Sequence, residues 1–115
     1  MAYMLLIVEP PGQRPTRSAA EGRAVYQRMV DYAKALEARG VLLATESLRS
    51  EGVRLERRDG SARLVDGPFT ESKEFIGGFF LLDCDTREQA LEHAKACPAA
   101  EWATIEVRET GPCYD

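Results

Sequence analysis

Ile76-Gly77-Gly78-Phe79-Phe80-Leu81-Leu82-Asp83 decides the fold, because it reads as a strand with no polar face. Successive side chains of a strand point to opposite sides, so Phe79 and Leu81 share one face and Phe80 and Leu82 the other. A strand apolar on both sides must be covered on both sides, which places it inside a sheet. The pair Gly77-Gly78 marks a point of close packing. A second stretch of this kind opens the chain. Tyr3 to Val8 is apolar on both faces and stops at Glu9 and two prolines.

Between these two strands the pattern changes period. Pro10 to Arg17 holds three prolines and a glycine and reads as a loop. Ser18 followed by Glu21 forms a capping box, which supplies acceptors for the orphan N–H groups at a helix start. Val25, Met29, Tyr32, Ala33 and Leu36 then recur at helical spacing until Arg39-Gly40 stops the helix. Gly22 weakens its first turn by about 1 kcal/mol relative to alanine. Val41 to Leu48 reads as a strand. Val53 to Arg58 and Ser61 to Val65 flank Asp59-Gly60, a two-residue hairpin signal. That register sets Leu55 opposite Leu64 and Glu56 opposite Arg63, an apolar pair and an ion pair on alternate faces. Charged faces and a tight turn make this hairpin an insertion that projects from the rest.

Beyond Asp83 the helical period returns. Asp85 and Thr86 offer N-caps, with Glu88 or Gln89 three residues on, and Ala90, Leu91, Ala94 and Cys97 form a stripe that Pro98 ends. Trp102 to Glu109 closes the pattern as a strand in which Ala103, Ile105 and Val107 alternate with Thr104, Glu106 and Arg108. The order is βαβ, an inserted hairpin, then βαβ. Two right-handed split βαβ units give an α+β, ferredoxin-like sandwich of one sheet with both helices on one face. Its first and third core strands are central, and those are the two that are apolar on both sides. The face that the helices leave bare asks for a second cover, and a partner copy's sheet is the simplest one.

Composition sets the outer bounds. A chain of 115 residues, 44% hydrophobic and 30% charged, fits one globular domain over residues 1–115. A net charge of −4 gives no broad attraction for phosphate backbones, so nucleic acid is not the expected partner. Arg54, Arg57, Arg58 and Arg63 are interleaved with Glu51, Glu56 and Asp59 and read as a solvated face. No apolar run approaches the roughly 18 residues that cross a membrane, and Met1 to Val8 lacks the basic lead of a signal peptide. Cys84, Cys97 and Cys113 are odd in number and lack CxxC spacing. Neither a disulfide framework nor a zinc site is expected, and the cytoplasm is the default location.

The segment Asp66-Gly67-Pro68-Phe69-Thr70-Glu71-Ser72-Lys73-Glu74, followed by Gly77-Gly78-Phe79 and a terminal Ile105-Glu106-Val107-Arg108, is the most distinctive in the chain. It resembles the DGPF motif of the YCII-related family, and the likeness runs from the first strand to Val107. The resemblance implies a ferredoxin-like fold paired into a dimeric α/β barrel. It also implies kinship with proposed small-molecule enzymes, among them a dehydrochlorinase of chlorinated aromatics, and with proteins encoded beside alternative sigma factors. Better-studied relatives use a histidine near the start of the first helix and an aspartate before a proline after the second. Here the first helix holds no histidine, and Cys97-Pro98 stands where the Asp-Pro pair would be.

Two readings of the motif are open. In one, Asp66, Phe69, Glu71, Lys73 and Glu74 line a cleft beside the dimer-facing sheet, where a carboxylate and an ammonium hold a polar ligand or move a proton. In the other, Asp66 caps a Gly-Pro turn and Phe69 plugs the core. Arg14 and Arg17 precede a helix N-terminus and make a candidate anion site. His93, between Glu92 and Lys95, reads as a surface residue, and a single histidine excludes a multi-histidine metal site within one subunit. Cys97 at a helix C-terminus meets the negative end of the dipole and reads as core.

Three functions follow. The leading one is a homodimer that binds a small anionic or aromatic molecule, with no cofactor. The others are a regulatory module contacting a protein partner such as a sigma factor, and a lyase-like or dehydrochlorinase-like enzyme with Asp66 or Glu74 as carboxylate base.

Overall fold

The computed structural model describes residues 2–67 and 73–114. Its strands and helices follow the order β1 (Ala2–Glu9), α1 (Ala19–Ala38), β2 (Leu42–Ser47), β3 (Val53–Arg58), β4 (Ser61–Asp66), β5 (Phe75–Asp83), α2 (Arg87–Ala96) and β6 (Thr104–Glu109). The main sheet runs β2-β5-β1-β6, with β1 antiparallel to both β5 and β6 and β5 antiparallel to β2. The two strands apolar on both faces are indeed the central pair. This is a mixed α+β fold with the split βαβ order.

Local chemistry explains the helix ends. Ser18 Oγ accepts from Glu21 N at 3.1 Å while Glu21 Oε1 accepts from Ser18 N at 2.8 Å, so the capping box forms in full. Gly40 continues past the C-cap with φ +72°, a conformation open to glycine at little cost. At α2 the cap is Thr86, with Gln89 answering it. The chain then departs from a simple stop at Pro98. Pro98–Glu101 forms a 3-10 turn, because proline suits a first helical position, and Ala103 N donates to Ala99 O at 2.7 Å. That turn absorbs Trp102 and Ala103, so the last strand begins at Thr104 rather than at Trp102.

The core fills the space between the sheet and the helices. Tyr3, Leu5 and Ile7 of β1 and Phe80 and Leu82 of β5 meet Leu36 of α1 and Ala90 and Ala94 of α2, with Leu5 and Leu82 fully buried. Tyr32 ties the helices together: its hydroxyl donates to His93 O at 2.5 Å, and its ring meets Phe80 edge-on at 5.2 Å. The opposite face of β1 and β5 carries Met4, Leu6, Val8, Phe79 and Leu81, all only partly buried. Edge residues Thr104, Glu106 and Arg108 border this strip on β6, in register with Val8, Leu6 and Met4.

β3 and β4 pair as foreseen, Leu55 with Leu64 and Glu56 with Arg63, and form a separate two-stranded sheet. Gly67 N donates to Gly52 O at 2.7 Å and closes its base. The chain measures 47 × 43 × 18 Å. Its radius of gyration of 16.0 Å exceeds the roughly 13 Å of a compact domain this long. It is a thin slab with an arm. Among the described residues, no helix is long and apolar enough to cross a membrane.

Candidate functional site

A break in the sheet creates a hollow. β1 and β5 lose register between Ile7 and Val8: Ile7 pairs with Gly78 and Val8 with Ile76, leaving Gly77 as the extra residue of a bulge. The bulge turns both glycines toward the helices. With no side chains there, α1 spans a cavity of about 280 Å³. Ile7, Gly78 and Phe80 lie on its sheet side, Val25, Tyr26 and Met29 come from α1, and Ala99 and Trp102 from the 3-10 turn. Thr45 of β2 also lines it, its hydroxyl donating to Phe79 O at 2.8 Å.

One end of the hollow is charged. Glu9 is only 5% exposed. Arg14 clamps it through two parallel bonds, Nε to Oε1 at 3.0 Å and Nη2 to Oε2 at 2.6 Å. A buried carboxylate needs such a partner, and a fork-to-fork pair is the strongest kind. Arg14 also donates to Leu48 O at 2.8 Å and Gly77 O at 3.2 Å, and stacks on Phe75 with 5.1 Å to the ring centre. It thereby fastens the proline-rich loop to the ends of β1 and β5.

Arg17 behaves differently. It lines the cavity and lies 5.8 Å from the Trp102 ring centre. Among the described residues no carboxylate comes within ion-pair distance of it. Arg28 approaches the same ring at 5.4 Å and is held by Glu101. Those bonds from Arg28 keep the Glu101 carboxyl below the ordinary carboxylate range. Trp102 is thus flanked by two guanidinium groups, and Gln13 Nε2 fixes its backbone by donating to its carbonyl at 2.9 Å.

The structure distributes the expected site residues over several places. Arg14 and Arg17 both line the cavity. Glu21 already occupies the N-terminus of α1, and its bonds from Ser18 hold its carboxyl below the usual range. Asp66 ends β4, exposed, opposite Val53. Lys73 and Glu74 line a second, more open hollow with Val8, Gln13 and Thr104. Phe69 and Glu71 lie outside the described residues. The residues that sequence reasoning passed over are Glu9, Tyr26, Thr45 and Trp102. The signals available were the one tryptophan of the chain and a Glu–Arg pair astride Pro10-Pro11.

Burial pushes the Cys84 and Cys97 thiols up. Among the described residues, no group of three or more His, Cys, Asp or Glu side chains could hold a metal ion.

The profile of the YCII-related domain matches residues 1–112. The chain belongs to the YCII-related family. Within this YCII-related chain, 41 residues are 42% identical to part of an uncharacterized protein of Rhizobium meliloti. That match covers 36% of this chain and 33% of the other, so it spans about a third of that relative. The fold is similar to that of the 5-chloro-2-hydroxyhydroquinone dehydrochlorinase of Burkholderia phenoliruptrix, solved in complex with 2,5-dihydroxybenzoquinone. The TM-score is 0.55 over 96% of this chain and 94% of that one, at 14% identity, a likeness of fold alone.

Proposed function

We propose that this YCII-related chain, a single domain of the DGPF branch, binds a small one-ring anionic or aromatic molecule in the hollow beneath α1 and works as a homodimer. The carrying observation is the cavity floored by Gly77 and Gly78, with Trp102 and Tyr26 on its walls and Arg17 also on its lining, beyond ion-pair distance of any described carboxylate. A cavity of ~150 Å³ accommodates a benzene ring. The hollow of about 280 Å³ therefore has room for one substituted ring. Flat apolar walls favour an aromatic body, and the Arg17 guanidinium favours a carboxylate or phenolate on it. The structural relative's dihydroxybenzoquinone is a molecule of that size and shape.

The homodimer reading is supported by the bare sheet face. An apolar strip of Met4, Leu6, Phe79 and Leu81 bordered by Glu106 and Arg108 has the apolar centre and polar rim of a protein interface. A lyase-like activity with Asp66 or Glu74 as carboxylate base finds less support, because Asp66 is exposed at the end of β4 and Glu74 lines the second, more open hollow, so neither lies on the wall of the cavity beneath α1.

The test is a thermal-shift series with benzoate, hydroxybenzoates and 2,5-dihydroxybenzoquinone on wild type and Arg17→Ala. A ligand at 100 times its Kd adds about 2.7 kcal/mol of stability. The expected result is stabilisation of the wild type by at least one carboxylate, lost in Arg17→Ala. A flat response across the series contradicts the reading.

A further inference from the structure

We propose that the β3–β4 hairpin is an arm that lays its apolar face on a second copy of this chain. The proposal rests on the homodimer reading above and adds a contact that the sheet face alone does not require.

Register divides the hairpin into two unlike faces. Val53 and Leu55 of β3 share one side with Leu64 of β4, directly opposite Leu55. They are 58%, 64% and 67% exposed, among the most open large apolar side chains of the molecule. Arg57 and Asp66 stand at the two ends of that side, beside this apolar centre. The other side carries Arg54 and Val65 together with Glu56, which is ion-paired to Arg58 at 3.5 Å and to Arg63 at 3.3 Å. That side meets water with its ion pairs, whereas Val53, Leu55 and Leu64 stay open to solvent among the described residues. An isolated two-stranded hairpin is marginal in water, so an arm of this kind gains most of its order from what it touches.

The area points to a second copy as the occupant. The chain exposes 8273 Å², where a compact monomer of its mass exposes roughly 6,300 Å². A stable dimer needs about 800 Å² from each partner. The excess is more than twice that, which leaves room for an arm contact beside a sheet contact. Two-fold symmetry makes both arms equivalent, so each copy gives and receives one.

Sedimentation velocity from 1 to 100 µM tests this on the full chain as wild type, Leu55→Glu/Leu64→Glu and Leu6→Glu, with far-UV spectra confirming fold. The expected result is a wild-type dimer whose dissociation constant rises at least tenfold in the hairpin double variant. A wild-type dimer that the double variant leaves unchanged, while Leu6→Glu disrupts it, overturns the arm and leaves the homodimer standing. A wild type that is monomeric throughout overturns both. If the double variant fails to fold, hydrogen exchange on the wild type decides. Protection of amides 54–64 that rises with concentration supports the arm, and protection that does not change overturns it.

Discussion

Gly77 stands where the Glu9 carboxylate leaves no room for a side chain: a Cβ at position 77 would overlap Glu9 Oε2 and come within 2.6 Å of Arg14 Nη2. The neighbour is the fork-to-fork ion pair of a buried Glu9 carboxylate with the partly exposed Arg14. Gly77→Ala therefore forces either the pair or the bulge to move. The expected cost is about 1–3 kcal/mol, the range for overpacking a tight site. Chemical denaturation at pH 7 measures it, and a loss below a few tenths of a kcal/mol would show that the pair yields freely.

Gly22 is the opposite case. It lines the same cavity from the first turn of α1, and a Cβ there meets nothing within 4 Å. Gly22→Ala is expected to stabilise the chain by up to about 1 kcal/mol through helix propensity and a less disordered unfolded state. A thermal melt that falls instead contradicts the open space assigned to that position.

The contrast between these glycines marks what could be read from the sequence. Capping boxes, the Gly40 stop and the Leu55–Leu64 register are local, set by residues a few positions apart, and they emerged as expected. So did the central placement of the two-faced strands, because burial of both faces follows from their pattern. Gly77-Gly78 announced close packing, and Gly78 does sit 2.9 Å, measured from an added Cβ, from Glu46 O. Which face the pair turned to was hidden, because one slipped residue opposite Val8 decides it. The Glu9–Arg14 clamp depends on how a proline-rich loop folds back, and no period encodes that.

His93 gives the chain a pH dependence with a definite sign. Burial first, and Arg39 second, hold its imidazole below the ordinary value of 6.5. The unfolded chain therefore takes up the proton before the folded one does. This contribution to stability is complete above the unfolded pKa and is lost as pH falls from about 7 through 6.5 toward the folded pKa. His93 carries the one imidazole of the chain. Melting temperatures between pH 7.5 and 5.5 should decline in the wild type and lose that slope in His93→Gln. Parallel curves would remove His93 from the account.

The three thiols divide sharply. Cys113 is exposed, whereas Cys84 and Cys97 are buried with their thiols pushed up by burial. Only the thiolate reacts readily. An aromatic disulfide reagent should titrate one thiol per chain in the native protein and three after unfolding. Prompt native reaction of two or more thiols would contradict the packing around α2.

The hollow beneath α1 is the central claim, and Trp102 reports on it directly. It is the one tryptophan of the chain and lines the cavity. A nitrogen–proton correlation spectrum therefore carries a single indole resonance, and benzoate or 2,5-dihydroxybenzoquinone can be titrated against it. The account predicts a saturable shift of that resonance in the wild type. Val25→Phe, which fills the cavity from α1 while leaving the fold in place, should abolish it. An indole resonance that stays still while either compound binds, or a shift that survives Val25→Phe undiminished, would place the site elsewhere.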